Sequence, residues 1–397
     1  MSGRTLISGA SEVLTCTAGA PDGIGRIVAG SVLIESGVVV AAGHLGDVAA
    51  ETIIDAQGCV VMPGFVDCHT HVVFGGSRVD EYTCRCAGSR LPAGAPVGIV
   101  GTMNTTRSLS ATELAEASRG RVGEMLAHGT TTVESKSGYG LARTAELAML
   151  EANRLLADRV GIRIVSTYLG AHALPPDSDR NAYVDEVCAT IPIVAERGLA
   201  SFCDAYCDEG YFTLEETRRI LEVGLEHGLS PKIHLDAYAH TRAAGLAVSL
   251  GATSVDHLNH TPPEELEALA AAGVIAVAMP LLDFAVQHAS PTHARTLAGY
   301  GLRVALATDC CPGCHAASMQ LAIQHACRQG GLSVAAAIRA ATIDAAAATG
   351  CDDRVGSLEP GKEADVLILD TDRFENLGYR LGHNAVRVVM RSGERVR

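Results

Sequence analysis

The sequence lacks the features of several classes of protein. It has no tryptophan, and aromatic residues make up only 4% of its 397 residues, so it offers few side chains on which nucleic-acid bases stack. Lysine and arginine number 31 against 45 aspartate and glutamate residues, which gives a formal net charge of −14. This charge disfavours binding to phosphate backbones and to acidic membranes. We therefore expect no nucleic-acid partner and no membrane partner.

Long hydrophobic runs are also missing. Hydrophobic residues make up 48% of the chain, but no stretch of about 20 apolar residues occurs, so we expect no transmembrane helix. The opening segment MSGRTLISGASEVLTC does not have the long apolar core of a signal peptide. The 13 cysteines are scattered along the chain. Together these features predict a cytoplasmic enzyme whose thiols are reduced.

The two ends of the chain share one pattern. Residues 1–62 carry the runs RIVAGSVLIESGVVVAAG and TIIDAQGCVVMPG, and the C-terminal end carries ADVLILDTD and NAVRVVMRSGERVR. Runs rich in valine and isoleucine between turn residues predict short strands. We expect residues 1–62 and 353–397 to form one small, discontinuous β-sandwich domain.

The middle of the chain, residues 63–352, alternates between two kinds of segment. Apolar, β-branched runs are each followed by a stretch rich in alanine, leucine and glutamate. The runs are VVMPGFVDCHTH, TTTVESKS, IRIVSTYLGAH, ASFCDAYC, PKIHLDAY, TSVDHLNH, VIAVAMP and RVALATD. Eight buried strands that alternate with helices predict an α/β fold, a (β/α)₈ TIM barrel.

Histidine and aspartate residues follow several of these strands. The working side chains of such barrels lie at the C-terminal strand ends. His69 and His71 end the first run, and because alternate residues of a strand share a face, both can bind one ion. With His234 and Asp309 they predict a site for one divalent metal ion, zinc by preference, with iron or manganese as alternatives. For any one of these histidines alone, the alternative is a structural role in the core.

Such an ion lowers the pKa of a water molecule and polarises a carbonyl group. Asp309 is the expected base, which takes the proton of that water and passes it to a leaving nitrogen. His257, at the end of the sixth run, is expected to stabilise the intermediate by a hydrogen bond. The alternative for His257 is that it orients a metal ligand.

Several segments resemble the amidohydrolase superfamily, namely IDAQGCVVMPGFVDCHTH and VGSLEPGKEADVLILD. HTHVVFGGSRVDEY, HGTTTVESKSGYGL, STYLGAHALPPD and VALATDCCPG are most similar to imidazolonepropionases, and the resemblance covers essentially the whole chain. It implies hydrolysis of a C–N bond by the metal site given above. It also implies that Arg78, Tyr139 and His172 bind the substrate, and that the protein forms a homodimer.

The sequence departs from this family at two positions. The family has a glutamate three residues after the strand-five histidine, where this chain has Ala237, which cannot transfer a proton. The family also has an asparagine two residues after the strand-eight aspartate, where this chain has Cys311, and a thiol lacks the paired donor and acceptor of an amide. Both changes make the expected pocket more apolar.

Three hypotheses follow. The main one is cleavage of an amide in a modified peptide that carries a thiazoline or amidine, because the chain also resembles the amidohydrolase of bottromycin-type peptide biosynthesis. The alternative is hydrolysis of imidazolone propionate in histidine degradation, with Asp236 or His240 in place of the missing glutamate. The third is a non-catalytic, metal-retaining binding protein, which the intact set of metal ligands argues against.

The cysteines after Asp309 have two interpretations. Cys311-Pro-Gly-Cys314 has the C-x-x-C spacing of redox and zinc sites. However, the sequence has no second C-x-x-C pair, and the motif follows a predicted ligand almost directly. We therefore expect a loop that lines the pocket, with Cys311 among the substrate-binding residues.

Overall fold

In the computed structural model, residues 3–92, 97–176 and 178–397 are described, and their strands form three sheets. The strands are β1 (Arg4–Ser8), β2 (Glu12–Leu14), β3 (Arg26–Val28), β4 (Ser31–Glu35), β5 (Val38–Gly43), β6 (Thr52–Asp55), β7 (Val60–Pro63), β8 (Phe65–Asp67), β9 (Thr130–Lys136), β10 (Arg163–Ala171), β11 (Phe202–Cys207), β12 (Ser230–Leu235), β13 (Ser254–His257), β14 (Ile275–Ala278), β15 (Val304–Leu306), β16 (Val366–Leu369), β17 (Val386–Arg391) and β18 (Glu394–Arg395). The helices are α1 (Val79–Cys86), α2 (Gly98–Arg107), α3 (Ala111–Ala127), α4 (Arg143–Val160), α5 (Arg180–Glu196), α6 (Leu214–Glu226), α7 (Ala243–Leu250), α8 (Pro263–Ala271), α9 (Pro280–Val286), α10 (Ala294–Gly299), α11 (Met319–Arg328), α12 (Val334–Ala340), α13 (Ile343–Ala348) and α14 (Asn376–Tyr379).

The largest sheet is the predicted barrel. Its eight strands, β8 to β15, are neighbours in chain order, and every pair is parallel. A parallel bridge between Thr70 and Cys310, just beyond β8 and β15, joins the first strand to the last. All residues of β9, β11 and β14 are buried, as expected for strands with helices outside and side chains inside. The (β/α)₈ prediction is confirmed.

Local sequence signals explain where the barrel helices begin. Ser110 caps α3 and Thr213 caps α6, each with a glutamate three residues later that bonds back to the cap. These capping boxes satisfy N–H groups that the first helical turn leaves without partners. The caps therefore fix the residue at which each of these helices begins.

Of the two smaller sheets, one consists of N-terminal strands and the other combines strands from both ends of the chain. One has the strand order β5-β4-β1-β6, and the other has the order β18-β17-β16-β7-β2-β3. In the second sheet β16 pairs with β7, which brings Ile368 opposite Val61. The two sheets share an apolar core that includes Ile7, Val32 and Val388. The expectation that the chain ends build β-sheets together is confirmed, and the division at residues 62/63 and 352/353 stays a prediction.

Two further expectations concern the thiols and the membrane. All 13 cysteines are free thiols. Within the described ranges, no helix combines the length and the apolar character that a bilayer crossing requires.

Candidate metal and active site

The barrel brings the predicted ligands to one mouth. His69 and His71 lie just after β8, His234 lies in β12, and Asp309 lies after β15. All four side chains are buried. His257 is the last residue of β13, the strand next to β12. The C-terminal ends of the strands therefore gather side chains that are far apart in the sequence.

The four predicted ligands are close together. Ring nitrogens of His69, His71 and His234 lie within 4.8 Å of one another. Asp309 Oδ1 lies 3.7 Å from His69 Nε2 and 3.8 Å from His71 Nε2. The arrangement therefore directs three imidazoles and one carboxylate at a common point.

Several atoms at this point have no hydrogen-bond partner. In the part of the chain that the structure describes, His69 Nε2, His234 Nε2 and Asp309 Oδ1 are buried and unpaired. Buried polar atoms are normally paired, so unpaired ones require an explanation. Nitrogen and carboxylate donors suit Zn²⁺, Fe²⁺ and Mn²⁺. The residues present therefore fit a divalent ion.

Behind the site, carboxylates lie against two of the imidazoles, and one of these contacts is a hydrogen bond. His69 Nδ1 donates a hydrogen bond to Asp256 Oδ2 at 2.8 Å. His234 Nδ1 lies 3.0 Å from Asp204 Oδ2. A proton held on Nδ1 leaves Nε2 with a free lone pair, which is the form that binds a metal. Burial also lowers the pKa of His69 well below its usual value, which favours this neutral ring.

Two site residues have unusual backbone angles. His257 has φ +82° and Asp309 has φ +47°, in the left-handed region that non-glycine residues seldom occupy. Hydrogen bonds hold both: Thr292 Oγ1 donates to the His257 carbonyl at 2.8 Å, and the Asp309 N–H donates to the His69 carbonyl at 3.1 Å. Strain of this kind persists where surrounding contacts impose it, often at active sites.

Burial shifts the protonation of both residues. It raises the pKa of Asp309 to about 6 and lowers the pKa of His257 to about 3. The raised pKa makes the Asp309 carboxylate easier to protonate than that of an exposed aspartate. His257 is neutral and stacks on Tyr206, with the two ring centroids 5.9 Å apart.

A cavity of about 180 Å³ opens beside these residues. It is lined by the four residues predicted to bind substrate, namely Arg78, Tyr139, His172 and Cys311. The lining residues that sequence reasoning missed include a second arginine, three tyrosines and three further polar side chains, namely Arg85, Tyr206, Tyr211, Tyr238, Asn259, Asp283 and His288. Tyr206 and Tyr238 were missed because they belong to the runs ASFCDAYC and PKIHLDAY, whose aromatic residues resemble core positions, and Tyr211 was missed because it lies in a loop without a motif.

His172 and Tyr139 have defined hydrogen-bonding capacities. His172 Nδ1 donates to the Gly138 carbonyl at 3.0 Å, and the ring stacks on His71 with centroids 4.7 Å apart. Burial lowers the pKa of His172 to about 3, so the ring is neutral and its Nε2 is an acceptor. Burial raises the pKa of Tyr139 well above its usual value, so its hydroxyl group keeps its proton and can donate it in a hydrogen bond.

Arg78 is not free in this structure. Its Nε donates to Glu81 Oε2 at 3.0 Å, and Nη2 contacts the other oxygen of the same carboxylate. A guanidinium carries five N–H donors, so the Glu81 pair leaves Nη1 for a ligand. No sequence motif indicates this pairing, although the spacing of three residues on a helix permits it.

The two suggested replacements for the missing glutamate lie outside the cavity. Asp236 accepts hydrogen bonds from Thr241 and Thr261, which occupy both of its oxygens. His240 is not part of the cavity lining and pairs with a glutamate. Ala237 lines the cavity instead. The structure thus contradicts the idea that Asp236 or His240 acts in place of the glutamate.

A cluster of charged residues beneath the site was also missed. It contains Glu134, Lys136, Asp204, Lys232 and Asp256, all fully buried inside the barrel. Charged residues within the otherwise apolar runs TTTVESKS, ASFCDAYC and PKIHLDAY were the available signal. Burial lowers the pKa of Lys136, but the three carboxylates outweigh this and raise it well above its usual value.

Known relatives match almost the whole chain. An imidazolonepropionase from Geobacillus thermodenitrificans is 42% identical over 381 residues, which cover 92% of this chain and 89% of the relative. One from Halobacterium salinarum is 39% identical over 404 residues, covering 98% and 96%. One from Brevibacillus brevis is 43% identical over 380 residues, covering 92% and 89%. The chain is therefore imidazolonepropionase-like along its length.

Solved structures share the fold at lower identity. An ochratoxinase from A. niger has a TM-score of 0.74 and 18% identity, covering 100% of this chain and 96% of that chain. An adenosine deaminase from Xanthomonas campestris with bound zinc has a TM-score of 0.71 and 18% identity, covering 98% and 92%. These likenesses support the fold alone.

The expectation of a modified-peptide substrate is wrong. The relatives reported above, which match most of the chain at 39% to 43% identity, are imidazolonepropionases. The expectation failed because it rested on two side chains, Ala237 and Cys311. These side chains change two contacts of a small cavity and leave its metal-site residues intact.

The sequence profile of the Amidohydrolase family matches residues 60–396, which include every barrel strand. This match and the relatives exclude the non-catalytic hypothesis and show a metal-dependent hydrolase that acts on C–N bonds. From its fold, its site and its sequence, the chain belongs to the amidohydrolase family.

Proposed function

We propose that this protein hydrolyses the cyclic amide bond of imidazolone propionate and so opens the ring. The observation that carries the proposal is the convergence of His69, His71, His234 and Asp309, with unpaired atoms, beside a small cavity. Relatives of similar length named imidazolonepropionase support this choice of substrate. The divalent ion would be held by these four side chains, with zinc favoured by the donor set.

The cavity offers partners for each part of this substrate. Its volume of about 180 Å³ suits a five-membered ring with a short side chain rather than a peptide. Arg78 Nη1 provides a positive donor for the propionate carboxylate. Tyr139 donates a hydrogen bond, and the bare Nε2 of His172 accepts one from a ring N–H. These contacts hold the ring carbonyl towards the four ligands.

The ion, when bound, lowers the pKa of a water molecule and polarises the ring carbonyl. Asp309 takes a proton from the water as its oxygen bonds to the carbonyl carbon. His257 stabilises the negative charge that develops on the former carbonyl oxygen by a hydrogen bond. The ring C–N bond then breaks, and Asp309 returns the proton to the leaving nitrogen. One water molecule is consumed, and the product carries a new carboxylate and an amidine.

Asp309 acts as the proton carrier in this scheme because of its surroundings. The other carboxylate that lines the cavity is Asp283, and both of its oxygens are occupied, by Asn259 Nδ2 at 3.0 Å and by the Thr292 N–H at 2.7 Å. Asp309 Oδ1 has no such partner among the residues with described positions. A single carboxylate can therefore serve as base and then as acid.

The test offers the zinc-loaded protein two kinds of substrate, namely imidazolone propionate and short peptides that carry a thiazoline or a cyclic amidine. We expect loss of the imidazolone ultraviolet absorbance with release of the ring-opened product, and intact peptides by mass spectrometry. Metal-free protein is the control and should leave the imidazolone unchanged. Cleavage of a peptide with no turnover of imidazolone propionate would contradict the proposal.

A further inference from the structure

A buried ammonium group lies directly behind the metal site. Lys136 is the last residue of β9, and its side chain is fully buried inside the barrel. Its Nζ lies 2.8 Å from Asp204 Oδ2, 3.1 Å from Glu134 Oε1 and 3.2 Å from Asp256 Oδ2. Three carboxylates from three different strands thus meet one cation.

Two of these carboxylates also contact the metal-site histidines, and each uses the same oxygen for both contacts. Asp256 Oδ2 accepts from His69 Nδ1 at 2.8 Å and also meets the ammonium. Asp204 Oδ2 lies 3.0 Å from His234 Nδ1 and accepts from the ammonium at 2.8 Å. The Lys136 ammonium group therefore contacts both of the carboxylates that lie against metal-site histidines.

The ammonium offsets a repulsion that the fold creates. Asp204 and Asp256 lie on the separate strands β11 and β13, and both direct a carboxylate oxygen at the same interior point. Buried like charges repel strongly where no cation compensates them. Without Lys136 the two carboxylates would turn apart. The imidazoles that depend on them would then lose their fixed orientation.

We propose that Lys136 is a positioning residue of the metal centre. Its ammonium group holds Asp204 and Asp256 where they fix the rings of His234 and His69, with Nε2 directed at the ion. The inference rests on the proposed metal site. It adds a third layer behind the ligands and their carboxylates, and this layer acts on metal affinity and ligand geometry rather than on the substrate.

Lys232 provides a matched control within the same barrel. It is also fully buried, and its Nζ lies 2.9 Å from Glu134 Oε1 and 4.7 Å from the ring centroid of Phe202. Its ion pair is with Glu134, not with either carboxylate that meets an imidazole. Replacing Lys232 therefore removes an equal buried charge one step further from the histidines.

The experiment measures metal affinity in the full-length chain without using turnover. Metal-free wild type, Lys136→Met and Lys232→Met are titrated with Zn²⁺ against a competing chelator, and their Co²⁺ absorption spectra are recorded. We expect Lys136→Met to bind Zn²⁺ about 10–100-fold more weakly, and Lys232→Met to stay within about threefold of wild type. We also expect the Co²⁺ bands to change in Lys136→Met alone. Equal effects of the two substitutions on affinity and spectrum would overturn the proposal.

A charge-balanced pair covers the case in which Lys136→Met does not fold. Lys136→Met/Asp256→Asn removes one cation and one anion, and it is compared with Asp256→Asn alone, both checked by circular dichroism. Weaker Zn²⁺ binding by the double variant supports the proposal through the remaining Asp204–His234 pair, and equal binding overturns it. A wild-type protein that binds Zn²⁺ but leaves imidazolone propionate intact would refute the proposed function without touching this result.

Discussion

Asp309 combines three properties at one residue: a left-handed backbone, a buried carboxylate with an unpaired oxygen, and a pKa raised by burial to about 6. The first property directs the side chain into the barrel mouth. The second leaves an oxygen for a metal ion. The third makes the carboxylate easier to protonate than that of an exposed aspartate, which suits a group that accepts and returns a proton.

We predict that Asp309→Asn lowers kcat for imidazolone propionate by about 10²–10⁴-fold, the usual contribution of a positioned proton carrier. The amide keeps the size of the side chain but cannot accept the proton of water. Steady-state kinetics on the zinc-loaded variant, with metal content measured alongside, would check this. If the Asp309→Asn protein turned over at the wild-type rate when fully loaded with zinc, Asp309 would not be the base.

His257→Ala should lower kcat by about 10²–10³-fold, as the loss of one donor to a developing oxyanion does. His240→Ala is the matched control, because His240 is exposed, lies outside the cavity lining and pairs with Glu265. We expect the control to keep wild-type kinetics. An unchanged kcat in His257→Ala would assign that ring a structural role.

The sequence predicted the residues of the site better than their partners. His69 and His71 stand out because two histidines two residues apart end an apolar run. The pairing of Arg78 with Glu81 and the orientation of His69 by Asp256 depend on side-chain positions in three dimensions. Asp256 also lies 187 positions from His69 in the sequence, so no local pattern reveals that contact.

At the scale of an element, the loop after β9 shapes the substrate side of the site. Gly138 has φ +109°, and a Cβ atom there would lie 2.8 Å from His172 Cβ and 2.9 Å from the Leu169 carbonyl oxygen. The Gly138 carbonyl also accepts the hydrogen bond that sets the tautomer of His172. Position 138 must therefore lack a side chain for His172 to keep its place.

Gly138→Ala should displace His172 and lower kcat/KM for imidazolone propionate, while the fold is retained. Gly120→Ala is the control, because Gly120 lies in α3 and, apart from its chain neighbours and the backbone of its own helix, no atom of the described residues comes within 4 Å of the place that its Cβ atom would take. Kinetics and circular dichroism of both variants check the prediction. Equal kcat/KM values for the two variants would show that His172 tolerates the shift.

The eight strands could be predicted because a strand buried on both faces is recognisable from its local sequence, as a short apolar run between turns. The charged residues within those runs could not be interpreted in the same way. Glu134 pairs with Lys232, and Lys136 pairs with Asp204, in each case across different strands of the barrel. Which charge meets which depends on the register of the closed sheet, and that register is not a property of any one run.

At the scale of the whole molecule, the buried histidines connect stability to pH. Burial lowers the pKa of His172 and His257 to about 3 in the fold, against about 6.5 in an unfolded chain. Between these values the unfolded state binds more protons, so the free energy of unfolding falls as the pH drops below about 6.5. Burial raises the pKa of Asp309 to about 6, which acts in the opposite direction.

We predict that the metal-free protein loses stability from about pH 6.5 downwards, by about 1.4 kcal/mol per pH unit for each such histidine. Urea unfolding between about pH 5 and pH 7 would measure this for wild type and for His257→Gln. For the variant, the free energy of unfolding should fall less steeply with decreasing pH, by about 1.4 kcal/mol per pH unit. Parallel slopes would mean that His257 is not held neutral by the fold.

The two ends of the chain are joined to each other next to the barrel. β7 runs directly into the first barrel strand, and β16 pairs with β7, so the C-terminal segment covers the start of the barrel. Similar runs at both ends allowed this pairing to be predicted. The homodimer stays a prediction, since a single chain does not test it.

The central claim is that one ion, held by His69, His71, His234 and Asp309, makes this chain a ring-opening hydrolase. The most direct measurement adds Zn²⁺ to metal-free protein in fractions of one equivalent and records the turnover of imidazolone propionate at each step. We predict that turnover rises in proportion to bound zinc and stops rising at one ion per chain. No turnover at full loading, or a rise that continues to two ions per chain, would contradict the account.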